Sequence, residues 1–520
     1  METKFKFPKM YFSFLRAYKT IILIGLYISL CLVITFKMNF LITDAPIEGD
    51  AEQNFRMAYN KYKYGILSSD RAENVDYLKH GNYREPLPPL ITSFFMHAHP
   101  GINKNQSYTS FINGLNTKKI KQVNLVWILF LLIGLGGLCY SITKSPASVL
   151  TTFVLTVFYF IRFGNHFDKL ITELPAAALM ILSTWLLFSA IKEHRVRLYF
   201  FAGIFLGLLV LVKATFLYLT PLILIFLFCL DYFKVKRYRN ITLYKNTSMF
   251  FFGAVIIIIP WMVRNKVFVD DFQVTQRGGI VLHYRAIHNQ MTASEIKGAF
   301  HFFGPAIYQS FSNRVFNIKD KDFDSDGKFR RLNRSHSSDR TAISDGNTGS
   351  TISFYAYTRA ERSRLVDYYS NHGIDSPFRK ADKDLGDEAK KIILENPVKH
   401  IMMTPVFLWR GIWCFPNSTI PWVGNTLQLY INNAINFLAF LSLCIILLIA
   451  IRNRDPGLLA LIILPCAMIL FQSIVSHNIP RYSQPAIPMT LLCLVYAIQY
   501  LLNLLNKKSL YTSYNNHDDR

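Results

Sequence analysis

The sequence predicts an all-α polytopic membrane protein with about ten transmembrane helices, within a range of roughly nine to thirteen. Hydrophobic residues make up 51% of its 520 positions, and only 17% are charged. Its apolar runs approach the roughly 20 residues that an α-helix needs to cross a bilayer. Lysine and arginine are concentrated between these runs, as expected for the loops of a multi-span protein.

The apolar runs occur throughout the chain except in two long polar stretches. The first run follows a basic N-terminal arm, and no small-residue cleavage site follows Phe36, so we expect it to be retained rather than removed as a signal peptide. The apolar stretch 198–230 could form one long segment, but Lys213 and Pro221 favour two spans joined as a hairpin. The predicted spans are 20–36, 124–142, 147–162, 171–190, 198–213, 214–230, 247–263, 430–451, 458–475 and 485–505.

The charge distribution predicts the orientation of the chain. Lysine and arginine are about twice as dense in the N-terminal arm and alternate short loops as in the two long loops, about 43–123 and 265–425. This predicts cytoplasmic termini and outward-facing long loops in the inner (plasma) membrane. The predicted divisions are a cytoplasmic arm (1–19), an N-terminal transmembrane module (20–263), a large outer loop or small periplasmic domain (264–425), C-terminal transmembrane helices (426–505) and a cytoplasmic tail (506–520).

The net charge of +24 does not indicate nucleic-acid binding, because the basic residues are spread over membrane-flanking loops. Basic outer loops instead suit anionic partners such as the phosphate headgroups of membrane lipids. Most of the seven cysteines lie in predicted spans, Cys414 being the exception, and their spacing fits neither a disulfide framework nor a zinc site. We expect the cysteines to pack as small apolar residues.

Two carboxylates, Asp50 and Glu52, lie just beyond the first span, where they can reach a lipid-borne substrate at the membrane boundary. The aromatic and aliphatic residues that follow recur at helical spacing, from Phe55 through Tyr59 and Tyr62 to Ile66, and Gly65 is a suitable C-terminal stop. This pattern predicts an interfacial helix with its aromatics in the headgroup layer. The alternative role for Asp50 is to cap that helix.

Arg84 precedes a proline-rich segment, Glu85-Pro86-Leu87-Pro88-Pro89. The prolines predict an extended conformation, and an arginine at the start of such a rigid segment can bind a phosphate through two hydrogen bonds. The alternative is a surface turn with an incidental arginine. In the last outer loop, Arg481-Tyr482 is similarly followed by Pro485 and Pro488.

Glu173 lies at the edge of the apolar fourth span, a position where ionisable residues are usually functional or paired. Asp168 and His166, in the preceding loop, are further candidates for an acceptor or second acidic site. The alternative is structural, with Thr172 capping the span and Pro175 in its first turn. Lys213 and Arg264 border the outer ends of spans, where snorkelling to the interface is the alternative to phosphate binding.

One acidic segment resembles the start of a calcium-binding loop. Asp322, Asp324 and Asp326 alternate before Gly327, but Asn333 occupies the twelfth position, where such loops have a bidentate Glu. A divalent cation is therefore one interpretation of this segment, and a solvated acidic turn is the other. The sequence predicts no other cofactor.

A helix is also expected in the second long loop, at 382–395, where Leu385, Ala389 and Ile392 repeat at helical spacing.

The order of these motifs resembles the bacterial relatives of dolichyl-phosphate-mannose protein mannosyltransferases and of the aminoarabinose transferase that acts on lipid A. These are glycosyltransferases of the GT-C fold, in the family 39-like group. The resemblance rests on Asp50, Arg84, Glu173, Trp261 to Asn265 and Arg481 to Pro485. It is weakest across 300–400. The sequence departs from the family where Ala51 separates the two carboxylates and where Glu85 and Leu87 interrupt the prolines.

The resemblance implies a GT-C bundle with two long outer loops that contain interfacial helices. It implies a catalytic role for Asp50, with Glu52 as the alternative, and Glu173 as the second acidic position. It also implies that Arg84 contacts the phosphate of the donor. The need to neutralise that phosphate at the membrane surface adds Lys213, Arg264, Arg481 and Tyr482 as donor phosphate-binding candidates.

Independent chemistry points to the same reaction. The phosphate of a polyprenyl-phosphate sugar becomes a good leaving group when arginine or lysine neutralises it, and the acceptor hydroxyl needs a nearby carboxylate to take its proton. The sequence has no Gly-rich nucleotide-binding signature. The sequence therefore predicts transfer of a sugar from a polyprenyl phosphate to a glycan, lipid or protein acceptor. The alternatives are a lipid-linked oligosaccharide polymerase or ligase, and a lipid or glycan transporter.

Overall fold

The computed structural model describes residues 9–71, 75–162, 167–238, 244–349, 352–374, 376–413 and 425–515. Across these residues the fold is helical. The first helix, α1 (Lys9–Lys37), leads into a loop region with four helices: α2 (Asp50–Tyr64), α3 (Leu87–Ala98), α4 (Tyr108–Ile112) and α5 (Thr117–Lys121).

Six apolar helices follow. They are α6 (Val123–Thr143), α7 (Pro146–Arg162), α8 (Glu173–Glu193), α9 (Val196–Val212), α10 (Thr215–Tyr238) and α11 (Lys245–Val269). The described part of the second long loop contains seven helices: α12 (Gly278–Ala286), α13 (Ala293–Phe303), α14 (Ala306–Phe316), α15 (Ser337–Ser344), α16 (Phe354–Asn371), α17 (Pro377–Glu395) and α18 (Pro397–Ile412). The chain ends with α19 (Asn425–Asn453), α20 (Pro456–Val475), the single turn α21 (Pro480–Ser483) and α22 (Ile487–Asn515).

Each predicted span coincides with a helix of the structure. In the described part of the chain, eight helices, some extended by an adjoining turn, are long and apolar enough to cross a membrane. Two shorter apolar helices, Pro146–Ile161 and Val196–Val212, occupy the other two predicted positions. The protein is therefore an all-α, multi-pass membrane protein, as the hydropathy pattern predicted.

The bundle contains one unusually close helix crossing, between α9 and α11. A Cβ atom on Gly203 would lie 2.0 Å from the carbonyl oxygen of Phe250, and one on Gly253 would lie 2.1 Å from the carbonyl oxygen of Phe200. Small residues allow such an approach in membranes, where close packing rather than the hydrophobic effect holds helices together. The crossing fixes α9, whose C-terminal end carries Lys213.

Helix α2 forms as its periodicity predicted, but its aromatic face is covered by protein. The side chains of Phe55, Tyr59 and Tyr62 are buried. The ring of Tyr108 packs 5.2 Å from that of Tyr59 and 5.7 Å from that of Phe55. The apolar face therefore packs against α3, α4 and α5 rather than lying in the headgroup layer. The periodicity identified the apolar face but not what covers it.

The second long loop is fastened to the bundle by Arg285. This fully buried side chain donates from Nε to the carbonyl oxygen of Ser473 at 3.1 Å and from Nη2 to that of His400 at 2.6 Å. Asp382 on α17 accepts from the backbone N–H groups of Gly279 and Ile280 at 2.8 and 2.9 Å, which satisfies the N-terminus of α12. These contacts hold the segment immediately before α12 over one end of the bundle.

Candidate functional site

Asp50 is the point at which three distant parts of the chain meet. Its carboxylate pairs with Arg84 of the first loop and accepts a hydrogen bond from Arg481 of the last loop, with an Nη2–Oδ2 distance of 2.6 Å. Nη1 of Arg277, from the second long loop, lies 3.8 Å from Oδ1. The three arginines bring both long loops and the short last loop to one carboxylate.

The backbone around Asp50 sets this orientation. Gly49 precedes α2 with φ of 60°, and Asp50 is the first residue of the helix. The carboxylate lies in the first turn, where exposed N–H groups and the helix dipole favour negative charge. Gly49 occupies the cap position that the alternative interpretation gave to Asp50, and the side chain of Asp50 instead turns to the arginines.

Arg84 is held by the segment in front of α3. The prolines at 88 and 89 lie in the first turn of that helix, where their missing N–H groups cost no hydrogen bond, so the expected extended segment is in fact a helix start. The guanidinium also donates to Oε1 of Gln53, at 3.0 Å from Nε and 2.6 Å from Nη2. Gln53 therefore fixes Arg84 in place beside Asp50.

Glu173 forms the second acidic part of the cluster. It begins α8 and is almost fully buried. Its Oε1 lies 3.3 Å from Nε of Arg481 and 3.6 Å from Nζ of Lys213. Arg481 thus bridges the two carboxylates, and α8, α9 and α21 meet at the same end of the bundle as α2.

Tyr482 covers the cationic side of this cluster. Nζ of Lys213 lies 5.4 Å from the centre of its ring, and the guanidinium of Arg481 lies 5.9 Å away. Such contacts attract a cation to the ring face. Tyr482 therefore helps to position both cations that contact Glu173.

Positive charge exceeds negative charge in the central cluster, which we define as Asp50, Glu173, Arg84, Arg277, Arg481 and Lys213. Burial alone would raise the pKa of Asp50, but Arg84, Arg277 and Arg481 together hold it well below its ordinary value. In addition, Nε of Arg277 is buried and has no hydrogen-bond partner among the described residues. The cluster can therefore accept a further anion.

Arg277 was not found from the sequence. It lies in a polar loop far from any apolar run and reaches Asp50 only because α12 docks on α17 through Gly279 and Asp382. The one signal available was the pair of glycines at 278 and 279, which marks a close approach of the backbone. A Cβ atom on Gly279 would lie 1.7 Å from the carbonyl oxygen of Asp382.

Arg264 contacts the turn that leads to Arg84. It donates to the carbonyl oxygen of Gly81 at 3.0 Å, and its Nη2 lies 3.0 Å from Nδ1 of His80. Its guanidinium lies 4.8 Å from the ring centre of Trp261. These contacts place Arg264 against the turn that leads to Arg84, and the expectation that it binds the donor phosphate stays a prediction.

Glu52 and Asp168 have other partners. Glu52 pairs with Arg56 and accepts from the hydroxyl of Tyr108 at 3.3 Å. Asp168 accepts from the backbone N–H of Thr43 at 2.7 Å and lies 2.9 Å from Nζ of the fully buried Lys121. Asp168 therefore joins the loop before α8 to the segment after α1. His166 lies outside the described residues.

The acidic segment at 322–326 is a tight turn. Asp322 accepts from the backbone N–H of Lys319 at 2.9 Å and pairs with Lys328 at 3.2 Å, while Asp324 and Asp326 are exposed. Within the described part of the chain, no group of three His, Cys, Asp or Glu side chains is arranged to hold a metal ion.

No protein-family model matches the chain, and no curated protein matches it. Among solved structures it is similar to the oligosaccharyltransferase of Archaeoglobus fulgidus. The apo form has a TM-score of 0.45 and 12% identity, covering 95% of this chain and 52% of that chain. AglB from the same organism, in complex with an inhibitory peptide and a dolichol-phosphate, has a TM-score of 0.44 and 12% identity, covering 94% and 51%. A complex with Zn and sulfate has a TM-score of 0.44 and 11% identity, covering 93% and 50%. The chain thus spans about half the length of these structures.

Proposed function

We propose that this protein is a membrane glycosyltransferase of the GT-C type that moves a sugar from a polyprenyl phosphate to an acceptor. The observation that carries the proposal is the pairing of Asp50 with Arg84 and Arg481, at the end of a membrane bundle where two long loops meet. Neither a carboxylate nor a cation alone would suffice, because the reaction needs a proton acceptor and a site for the leaving phosphate.

The cations of the central cluster form the phosphate site in this proposal. Four cationic side chains surround two carboxylates, which leaves an excess of positive charge. Arginine presents a planar fork that matches phosphate oxygens, and the unpaired Nε of Arg277 offers one further donor. The site lies beside the ends of the apolar helices, so a prenyl chain can remain in lipid while its phosphate reaches the cations.

Asp50 is the proposed general base. The low pKa of Asp50 makes it ionised but weakly basic, whereas an efficient base has a pKa near the working pH. A bound phosphate competes for Arg84 and Arg481 and thereby raises the pKa of Asp50. The acceptor hydroxyl then loses its proton to Asp50 as its oxygen bonds to the anomeric carbon, and the bond from that carbon to the phosphate oxygen breaks.

Two observations favour Asp50 over the other acidic candidates. Glu52 is directed to Arg56 and Tyr108, away from the arginines that would hold the phosphate. Glu173 is buried against Arg481 and Lys213, where it fixes the two cations. Glu173 is therefore a positioning residue in this scheme.

The test has two steps. Masses of envelope lipids and glycans from cells with and without the protein first identify the sugar and the product. Transfer of that sugar by the purified protein in detergent is then assayed. The Asp50→Asn variant is then expected to lower kcat by about 100-fold or more, since general-base catalysis contributes ~10²–10⁴. Glu52→Gln, on the same helical turn, is the matched control and should retain near wild-type transfer.

Near wild-type transfer by Asp50→Asn would remove Asp50 as the base and favour a polymerase or ligase that needs no carboxylate. A transporter would show no transfer in detergent, where no sealed membrane exists.

We further propose that the site faces outward from the inner membrane and that both termini are cytoplasmic. Cysteine variants in a background without native cysteines test this orientation. Ser337→Cys on α15 should react with an impermeant maleimide added to intact cells, and Arg452→Cys, at the end of α19, should react only after the membrane is opened. The reverse pattern would place the site in the cytoplasm.

A further inference from the structure

A cavity of about 230 Å³ lies among the helices of the second long loop. It is formed by α12, the end of α13, the segment 331–335, the start of α16, α18 and the loop before α21. The side chains that give it its character are Arg331, Arg334, Arg410, His477, Tyr284 and Phe303. Its volume is below the roughly 300–1,000 Å³ of drug-sized ligand pockets, so it suits a compact group.

The charge of this cavity is positive. No Asp or Glu is among the described residues that line it. Arg331 has an acidic neighbour outside the lining, with Nε 3.7 Å from Oε1 of Glu295. Arg410 donates to the carbonyl oxygen of His477 at 3.2 Å and lies 4.1 Å from the ring centre of Phe303. Burial, together with the nearby positive charge of Arg334, lowers the pKa of Arg410 to about 9.

His477 is a second observation that points to a ligand in this cavity. Its side chain is 6% exposed and lines the cavity, and its Nδ1 has no hydrogen-bond partner in the described part of the chain. A buried polar atom without a partner is costly unless something else satisfies it. Burial also holds the pKa of His477 well below its ordinary value, so the ring is neutral and one of its nitrogens can donate a hydrogen bond.

The cavity is separated from the central cluster by a single aromatic side chain. The ring of His477 packs 4.9 Å from that of Tyr284 and 5.8 Å from that of Tyr482. Lys213 lies 5.4 Å from the centre of the Tyr482 ring. A molecule bound in the cavity is therefore separated by the ring of Tyr482 from Lys213, one of the cations that contact Glu173.

We propose that this cavity binds an anionic group of the acceptor, a phosphate or a carboxylate, beside the reaction centre. Guanidinium groups bind such oxyanions through paired hydrogen bonds, and the aromatic walls can pack against the ring that carries the anion. The assignment to the acceptor rests on the proposed function. Binding of the anion does not, because it follows from the cavity alone.

The test measures binding of inorganic phosphate and of glucuronate to the purified protein by calorimetry. The measurements are made in an Arg84→Gln background, which weakens the central cluster. Arg410→Gln and Arg334→Gln are each expected to weaken binding of at least one of these anions by about tenfold, the cost of one charge-assisted hydrogen bond. Arg410→Lys should restore part of the affinity. Arg314→Gln, on the exposed side of α14, is the matched control and should leave the affinity unchanged.

The anion that binds more tightly identifies the anionic group of the acceptor. Tighter binding of phosphate indicates a phosphorylated acceptor, and tighter binding of glucuronate indicates an acceptor with an acidic sugar. Unchanged affinity for both anions in Arg410→Gln and Arg334→Gln would overturn the cavity inference. If Arg410→Gln does not fold, Arg334→Gln, at an exposed position, decides alone. If the cavity variants bind the anions more weakly but the wild-type protein transfers no sugar, the cavity inference is supported and the proposed function is wrong.

Discussion

Arg481 donates a hydrogen bond to Asp50 across 431 positions of sequence, with an Nη2–Oδ2 distance of 2.6 Å. The same guanidinium lies 3.3 Å from Glu173 through Nε. One side chain of the last loop therefore organises both carboxylates of the central cluster. The predictions below test what this arrangement does for stability and activity.

Replacement of Arg481 by Gln should abolish transfer and also destabilise the protein. Glu173 is buried, and removing one partner of a buried ion pair costs about 3–5 kcal/mol because the other charge is left uncompensated. Lys213 remains beside Glu173 and should limit the loss to the lower end of that range. Thermal unfolding in detergent measures the change.

The control for Arg481 is an ion pair elsewhere in the bundle. Lys192 and Asp455 pair at 2.6 Å, but the Lys192 side chain is 44% exposed. Lys192→Gln should change stability by no more than about 1 kcal/mol. Equal losses in the two variants would contradict the special role of Arg481.

Asp168→Asn should reduce stability without a selective effect on catalysis. Lys121 is fully buried, and its Nζ contacts Asp168 and the carbonyl oxygens of Thr43 and Ala45 at 3.2 and 2.6 Å. The substitution removes the charge that compensates this lysine. We expect a lower Tm with KM for the donor unchanged in the protein that remains folded. A raised KM at unchanged Tm would instead place Asp168 in the substrate site.

The acid stability of the protein should depend on Asp50. Its folded pKa lies below the ordinary value of ~3.9, so the stabilisation from its arginine partners is complete above about pH 4 and is lost as the pH falls through the folded pKa. The difference in Tm between wild type and Asp50→Asn should be constant from pH 7 to about pH 5 and should shrink below about pH 4. A difference that disappears between pH 5 and pH 7 would contradict the assignment of the low pKa to Asp50.

Gly203→Ala should destabilise the bundle by about 1–3 kcal/mol, the usual cost of adding a methyl group to a packed contact. The new methyl group would lie 2.0 Å from the carbonyl oxygen of Phe250 and would force α9 and α11 apart. Gly25→Ala in α1 is the matched control, since nothing lies within 4 Å of its added Cβ atom. Thermal unfolding of the two variants gives the comparison, and an unaffected Gly203→Ala would show that the crossing has room to relax.

The spans and the helix at Asp50 could be predicted because both depend on local periodicity and hydropathy. The grouping of Asp50 with Arg84 and Arg481 was expected from the family resemblance and from the chemistry of the reaction, since all three residues lie in loops predicted on the same side of the membrane. The contacts of the Glu52 side chain could not be predicted. Its partners, Arg56 and Tyr108, depend on which face of α2 packs against α4.

Other differences have specific physical causes. Pro88 and Pro89 were expected to exclude a helix, yet proline is acceptable in a first helical turn. Arg277 depends on the docking of α12 against α17, a long-range contact that no single-sequence pattern encodes. The hydrogen bond from Arg264 to the carbonyl oxygen of Gly81 is likewise a long-range contact that the sequence does not encode.

The ion pair between Asp50 and Arg481 also has a consequence for biosynthesis. Arg84 follows Asp50 by 34 residues, whereas Arg481 follows by 431, so the carboxylate gains its first partner early and its second only after 431 further residues have been made. At ~5–20 residues per second this interval is roughly 20–90 s. Throughout that time the nascent chain already contains Asp50 but not Arg481, so the central cluster stays incomplete until Arg481 has been made.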